Sequence, residues 1–251
     1  MTARAPGWLT ARPIAHRGLH DRARGIIENM PSAFDAAIAG NFAIEVDLQP
    51  SADGEAMVHH DYALGRLTQG TDELLSLTAE QLKQVGFKHT SDHMMTLGEL
   101  CTRVAGRVPL VLEIKSRFNG DRRLVIRMAE VLASYSGPVA AMSFDPDQVT
   151  AIRDLMPDLP RGIVAERHYT DGEWKQLSAS KIREMTGLRH AFRTQPHFVS
   201  YRVDDLPAPA PWIARNIFGC ALITWTVRTP EQRALTARYA DQMTFEGFIP
   251  E

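Results

Sequence analysis

The chain has 251 residues, of which 44% are hydrophobic and 23% charged, with a formal net charge of -2. This composition describes a globular protein with a substantial core, and its near-neutral charge excludes a broad electrostatic footprint for nucleic acid or an anionic membrane. No apolar run reaches the length of a membrane span, so stable membrane insertion is not expected.

In chain order, residues 1–12 carry no apolar stretch before the first predicted strand, so no secretory leader is expected. That strand, 13–17, runs into Ile14-Ala15-His16-Arg17-Gly18 and is followed by a helical pattern at 32–39. A strand at 43–48 carries Glu45-Val46-Asp47, and a further apolar run closes on Val58-His59-His60-Asp61. The stretch from His60 to Val108 is too long for one crossover. Helical spacing at 74–85 and 97–104 makes the segment of about 61–96 a small insertion within one domain spanning 1–251. Strands follow at 108–115, 139–144, 162–165, 198–203, 221–227 and 242–245. Amphipathic segments at 121–134, 146–156, 172–188, 211–218 and 230–239 separate them. Asp145-Pro146 and Thr229-Pro230-Glu231 read as helix starts with proline in the first turn, and Pro207-Ala208-Pro209-Ala210-Pro211 as a stiff loop. This alternation predicts an α/β fold, a (β/α)8 TIM barrel with a small helical insertion after the second strand. The alternative is an open doubly wound sheet, for whose Gly-rich nucleotide loop the chain has no counterpart. Cys101 and Cys220 lie far apart without metal-ligand spacing. Both are expected to be reduced and structural, which suits a cytoplasmic chain.

Glu45 and Asp47 are two apart on a predicted strand and therefore share one face. Two adjacent carboxylates out of water repel unless a cation holds them. Glu113 closes the next strong apolar run. With it the three form an all-oxygen set suited to one divalent cation, Mg2+ or Ca2+, rather than zinc. The competing reading is plain ion pairing with Arg17 or Lys115. His16 and His60 each end an apolar run, where a barrel keeps its active site. Two imidazoles on opposite sides of a phosphate can serve as general base and general acid. Strand alternation lets only one of His59 and His60 face the centre. His20, His89, His93, His168, His190 and His197 have no comparable setting and are expected at the surface or in loops. Arg17 can grip two phosphate oxygens, and Lys115 adds a point charge, or else only balances Glu113.

His16-Arg17-Gly18, Glu28-Asn29, Glu45-Val46-Asp47, His60-Asp61, Glu113-Ile114-Lys115 and Leu222-Ile223-Thr224-Trp225-Thr226-Val227 together resemble, in order and spacing, the motifs of the glycerophosphodiester phosphodiesterase family. The resemblance covers nearly the whole chain. It implies a TIM barrel with a small insertion after His60, a divalent cation, and hydrolysis of glycerophosphodiesters to glycerol 3-phosphate and an alcohol. It further implies Glu45, Asp47 and Glu113 as metal ligands and His16 and His60 as the acid/base pair. Arg17 and Lys115 would sit at the phosphate, Asn29 near the substrate and Trp225 in the aromatic lining. A substrate hydroxyl would act as internal nucleophile, giving a cyclic phosphate that water then opens. Met30, Arg228 and Glu246 depart from the family's pattern at positions where head-group preference would be set. Two other readings keep the barrel. One is a lysophospholipase D-like enzyme, for which Trp212, Ile213, Ile217 and Phe218 would supply an apolar rim, although such spacing more often marks the buried face of a helix. The other is a non-catalytic barrel that binds phosphorylated ligands.

Overall fold

Alternation along the strands decides the architecture. In the segment Ala43–Pro50 (β2), Ile44, Val46 and Leu48 face outward into the layer beneath the helices, whereas Ala43 joins the cluster inside the sheet. Glu45 and Asp47 have the parity of Ala43. The structure, a computed structural model, describes residues 4–170 and 172–250. Eight parallel strands form a closed ring. They are β1 (Ile14–Ala15), β2, β4 (Leu110–Ile114), β5 (Val139–Ser143), β6 (Arg161–Ala165), β7 (Phe198–Arg202), β8 (Ala221–Val227) and β9 (Gln242–Phe245), with β1 paired to both β2 and β9. The apolar run closing on Val58 is the short β3 (Ala56–Val58), which runs antiparallel to the far end of β2 and stops before His59.

The helices α1 (Pro31–Ala39), α3 (Leu97–Val104), α4 (Arg123–Leu132), α5 (Pro146–Leu155), α6 (Ala179–Thr186), α7 (Ala191–Thr194), α8 (Pro209–Asn216) and α9 (Pro230–Tyr239) lie in the connections between barrel strands. α2 (Ala79–Lys83) belongs to the stretch after β3. There Leu64, Leu67, Leu74, Leu82 and Phe87 bury themselves with Ile27, Met30 and Met57 in a small core of their own. Capping boxes at Thr78, Thr96 and Thr229 fix the starts of α2, α3 and α9. Among the described residues no helix is long and apolar enough to cross a membrane.

Some expectations need correction. The 172–188 segment divides into a 3-10 turn, Gly172–Gln176, and α6. The proline-rich stretch is not all loop, since Pro209 and Pro211 open α8, where a missing N–H costs nothing. α8 packs its small side chains, Ala210 and Ala214, against the barrel. Its large ones, Trp212 (55% exposed) and Ile213 (42%), face outward, as do Ile217 (63%) and Phe218 (55%) just past its end. His190 and His197 are buried rather than superficial. His197 Nδ1 accepts the Arg161 backbone N–H at 3.1 Å, and His190 Nδ1 lies 3.3 Å from Thr194 Oγ1.

Burial lowers the His190 pKa to about 4. The unfolded chain takes up this proton near pH 6.5 and the folded chain only near pH 4. The stabilising preference for the neutral ring is therefore complete above pH 6.5 and is lost as pH falls toward 4. Melting temperatures measured from pH 7 to 4 should drop across that window, and His190→Gln should show a smaller drop. An unchanged slope would mean that the ring is protonated in the folded state.

Candidate active site

Strand register assembles the site. Asp47 of β2 lies opposite Glu113 of β4, and Ala15 pairs with both Ile44 and Phe245. The next residue, His16, is thereby set between Glu45 and Glu246. His16 Nδ1 is 2.7 Å from Glu246 Oε2, and Nε2 is 3.9 Å from Glu45 Oε2. Arg17 and Gly18 then leave the strand in left-handed conformations, with φ of 56° and 81°. This turn aims the Arg17 backbone N–H at Glu45 Oε2, 3.0 Å away. Gly18 permits it because a Cβ there would meet α1 at 2.9 Å from Ala33.

Glu45, Asp47 and Glu113 are all buried, and each offers an oxygen within 4.8 Å of the others. Lys115 Nζ reaches Asp47 Oδ1 at 2.9 Å and Glu113 Oε1 at 2.5 Å, while Arg17 Nε is 3.1 Å from Asp47 Oδ2. Both alternatives for these groups are thus realised at once: the carboxylates are paired with Arg17 and Lys115, and they also converge. Pairing is incomplete. Glu45 Oε1 is buried without any hydrogen-bond donor. Burial, then repulsion from Asp47 and Glu113, pushes the Glu45 carboxyl well above its usual range. Burial acts the same way on Asp47, but Lys115 and Arg17 outweigh it and hold that carboxyl well below. An uncompensated buried oxygen beside two further carboxylates is what a hard cation would satisfy, and the donor set is entirely oxygen.

The two imidazoles are held alike. His60 Nδ1 lies 2.8 Å from Asp61 Oδ1, as His16 Nδ1 does from Glu246. An ionised carboxylate only accepts, so each Nδ1 carries the hydrogen and each Nε2 is left for a ligand. Burial lowers the His16 pKa to about 4 despite its contact with Glu246. His60 lines the central cavity, while His59 is buried against Phe87 at 6.3 Å between ring centroids. Arg66, in the stretch after β3, ties the two sides together. Its Nε donates to Asp61 at 2.7 Å, and its NH2 donates to Glu28 Oε1 at 2.7 Å, the oxygen that accepts from Arg17 NH1 at 2.6 Å. Burial opposes ionisation of Glu28, yet Arg66 and Arg17 lower its pKa to about 2.

A cavity of about 350 Å³ opens over these groups, lined on one side by His16, Arg17, Glu45, His60, Glu113 and Lys115. Phe144, Glu166, Trp174, Arg202, Asp204 and Trp225 form much of its opposite wall. The expected site residues line it with two exceptions, Asp47 and Asn29; Asp47 is 1% exposed and does not line the cavity, though its carboxylate lies within reach of Glu45 and Glu113. Asn29, anticipated near the substrate, is buried with both ends of its amide used by Asp47. Nδ2 donates to Asp47 Oδ2 at 2.9 Å, and Oδ1 accepts the Asp47 backbone N–H at 3.3 Å. Glu246, Arg66, Asp61, Glu166 and Trp174 were not anticipated as working residues. Asp61 stood in a quoted motif without a role, and Glu246 among the departures from the family's pattern; the others carry no signal separable from ordinary loop composition. His20, Glu246 and His16 form a second group of possible metal ligands. There, however, Glu246 Oε2 is already taken by His16 and, at 3.0 Å, by Arg228.

The model of the glycerophosphoryl diester phosphodiesterase family matches residues 16–249. YhdW of Bacillus subtilis strain 168, a candidate glycerophosphodiester phosphodiesterase, is 26% identical over 250 residues, covering 95% of this chain and 93% of its own. Two solved structures share the fold. An Oleispira antarctica phosphodiesterase, in complex with the product sn-glycerol-3-phosphate, superposes with a TM-score of 0.74 at 18% identity, covering 93% of this chain and 91% of its own. The glycerophosphodiester phosphodiesterase of Thermotoga maritima gives a TM-score of 0.69 at 21% identity, covering 92% of each chain.

Proposed function

Because the chain belongs to the glycerophosphoryl diester phosphodiesterase family of hydrolases, we propose that it hydrolyses glycerophosphodiesters to glycerol 3-phosphate and an alcohol, with one divalent cation and two histidines. The observation that carries this reading is the orphaned Glu45 Oε1 among three converging carboxylates, flanked by two imidazoles whose Nε2 atoms are uncommitted. Glu45, Asp47 and Glu113 would hold Mg2+ or Ca2+. When bound, that ion supplies neutralisation of charge on the phosphate and on its transition state. Arg17 and Lys115 add their own positive charge at the same phosphate. In the first step His16, kept neutral by burial, accepts at Nε2 the proton of the attacking glycerol hydroxyl. His60 delivers a proton from Nε2 to the leaving alcohol oxygen as the P–O bond breaks; when water opens the cyclic phosphate the roles reverse, His60 taking the water's proton and His16 returning its own to the departing ring oxygen. Asp61 and Glu246 orient the rings through Nδ1. Asn29 orients Asp47 rather than touching substrate. The same reading takes the chain as one domain over 1–251 with an insertion at about 61–96, working in the cytoplasm on a water-soluble diester. The lipid-tailed alternative loses its support, because Trp212, Ile213, Ile217 and Phe218 lie outside the cavity lining.

The test is release of glycerol 3-phosphate from glycerophosphodiesters, detected by a coupled assay. Activity should disappear with chelator and return with Mg2+ or Ca2+. Tight binding of the diester without turnover at any metal concentration would favour the non-catalytic barrel instead.

Glu246 allows a finer prediction. Replacing it by alanine frees His16 Nδ1 and should lower kcat by about ten- to a hundredfold, with KM changing far less. Glu246→Asp should recover part of the loss. Equal kcat in wild type and Glu246→Ala would remove Glu246 from the machinery.

A further inference from the structure

The two ring nitrogens of His16 serve different neighbourhoods. Nε2 lies 3.9 Å from Glu45, at the central cavity, whereas Nδ1 meets Glu246 Oε2 at 2.7 Å, a residue outside that cavity's lining. On the Nδ1 side stands His20, whose Nε2 is 3.9 Å from the same carboxylate oxygen. That nitrogen is buried and has no hydrogen-bond partner. His16, His20 and Glu246 each offer one ligand atom, and the three atoms lie within 4.8 Å of one another.

A separate cavity of about 510 Å³ leads to His20 and Glu246. Leu19, Arg22, Ile26 and Phe248 also line it, and the carboxylate trio does not. An ion can therefore arrive without crossing the substrate's space. Two imidazole nitrogens and one carboxylate oxygen suit a three-ligand zinc site with water in the fourth place, unlike the all-oxygen trio. Glu246 Oε2 is engaged already, but both engagements can yield. Arg228, 3.0 Å from that oxygen, has a side chain 51% exposed and can turn into solvent. The hydrogen between His16 Nδ1 and Glu246 is what a metal ion would replace.

We infer that His16, His20 and Glu246 form an inhibitory Zn2+ site behind the catalytic imidazole, separate from the cation site of the three carboxylates. The inference rests on the phosphodiesterase reading above and adds a means of control to it. Zinc takes the lone pair of His16 Nδ1, so the ring hydrogen moves from Nδ1 to Nε2, with no proton gained or lost overall. An Nε2 that carries a hydrogen cannot accept one from the attacking hydroxyl. The ring is held in the unproductive tautomer while the central cavity stays open to substrate. Zinc therefore lowers kcat and leaves KM unchanged.

The experiment titrates Zn2+ into the protein in millimolar Mg2+. Binding is read by competition with a chromophoric chelator, and turnover of a glycerophosphodiester on the same samples. In wild type kcat should fall in step with Zn2+ occupancy at constant KM. His20→Gln should keep wild-type turnover in Mg2+ alone. It should bind Zn2+ at least about tenfold more weakly, the cost of disturbing even an outer partner of a metal ligand, and resist inhibition by the same factor. His20→Phe, which keeps a ring in place, serves if the glutamine variant fails to fold. Zinc that displaces Mg2+ from Glu45, Asp47 and Glu113 would bind and inhibit the His20 variants as it does wild type, and that equality would overturn the site. So would the absence of Zn2+ binding at micromolar concentration, or full turnover with Zn2+ bound. No hydrolysis of any glycerophosphodiester in Mg2+ alone would overturn the phosphodiesterase reading and the inhibitory role with it. The chelator titration of wild type against His20→Gln would then still decide whether the metal site exists.

Discussion

His60→Ala is expected to keep the wild-type melting temperature and to lose about a hundred- to ten-thousandfold in kcat, the range for a positioned acid–base group. The side chain is one-third exposed and pairs with Asp61. Asp61 keeps Arg66 as a partner when the ring is removed, so no buried charge is stranded. His16→Ala should cost a similar factor in kcat. Single-turnover and steady-state rates together check the assignment. A variant with near wild-type turnover would show that the imidazole does not move the proton.

Asp47→Ala is expected to act on stability as well as turnover. The residue is 1% exposed and answers Arg17, Lys115 and Asn29 at once. Deleting it leaves Lys115 with Glu113 alone, Arg17 with Glu28 alone, and the buried Asn29 amide without its acceptor. Breaking a buried ion pair from one side costs about 3–5 kcal/mol, a large share of the roughly 5–15 kcal/mol that holds a domain together. Denaturant unfolding should register that loss directly, and metal-dependent turnover should vanish. Asp47→Asn should be milder in stability, because the amide can still meet Asn29, yet equally inactive. A stability change below about 1 kcal/mol in Asp47→Ala would mean that Glu113 and Glu28 suffice to balance Lys115 and Arg17.

Much of the fold could be read from alternation. Parity along Ala43, Glu45 and Asp47 placed both carboxylates on the barrel's inner face, and the same rule separated His60 from His59. What escaped depends on contacts that local pattern does not encode. Glu246 reaches His16 across 230 residues, through the pairing of β1 with β9. Arg66 lies in irregular backbone, and only folding brings it between Glu28 and Asp61. α8 has the apolar spacing of a buried face but packs through its alanines, because small side chains let its axis approach the sheet. Asn29 was assigned by motif. Its left-handed backbone, with φ of 59°, turns the amide onto Asp47.

The central claim is that one hard ion is shared by three carboxylates from two neighbouring strands. Crystals grown with Mn2+ as an anomalous scatterer in place of Mg2+ test it directly. The expected result is a single strong peak bound by oxygens of Glu45, Asp47 and Glu113. A peak at His16, His20 and Glu246 instead, or none at millimolar Mn2+, would contradict it.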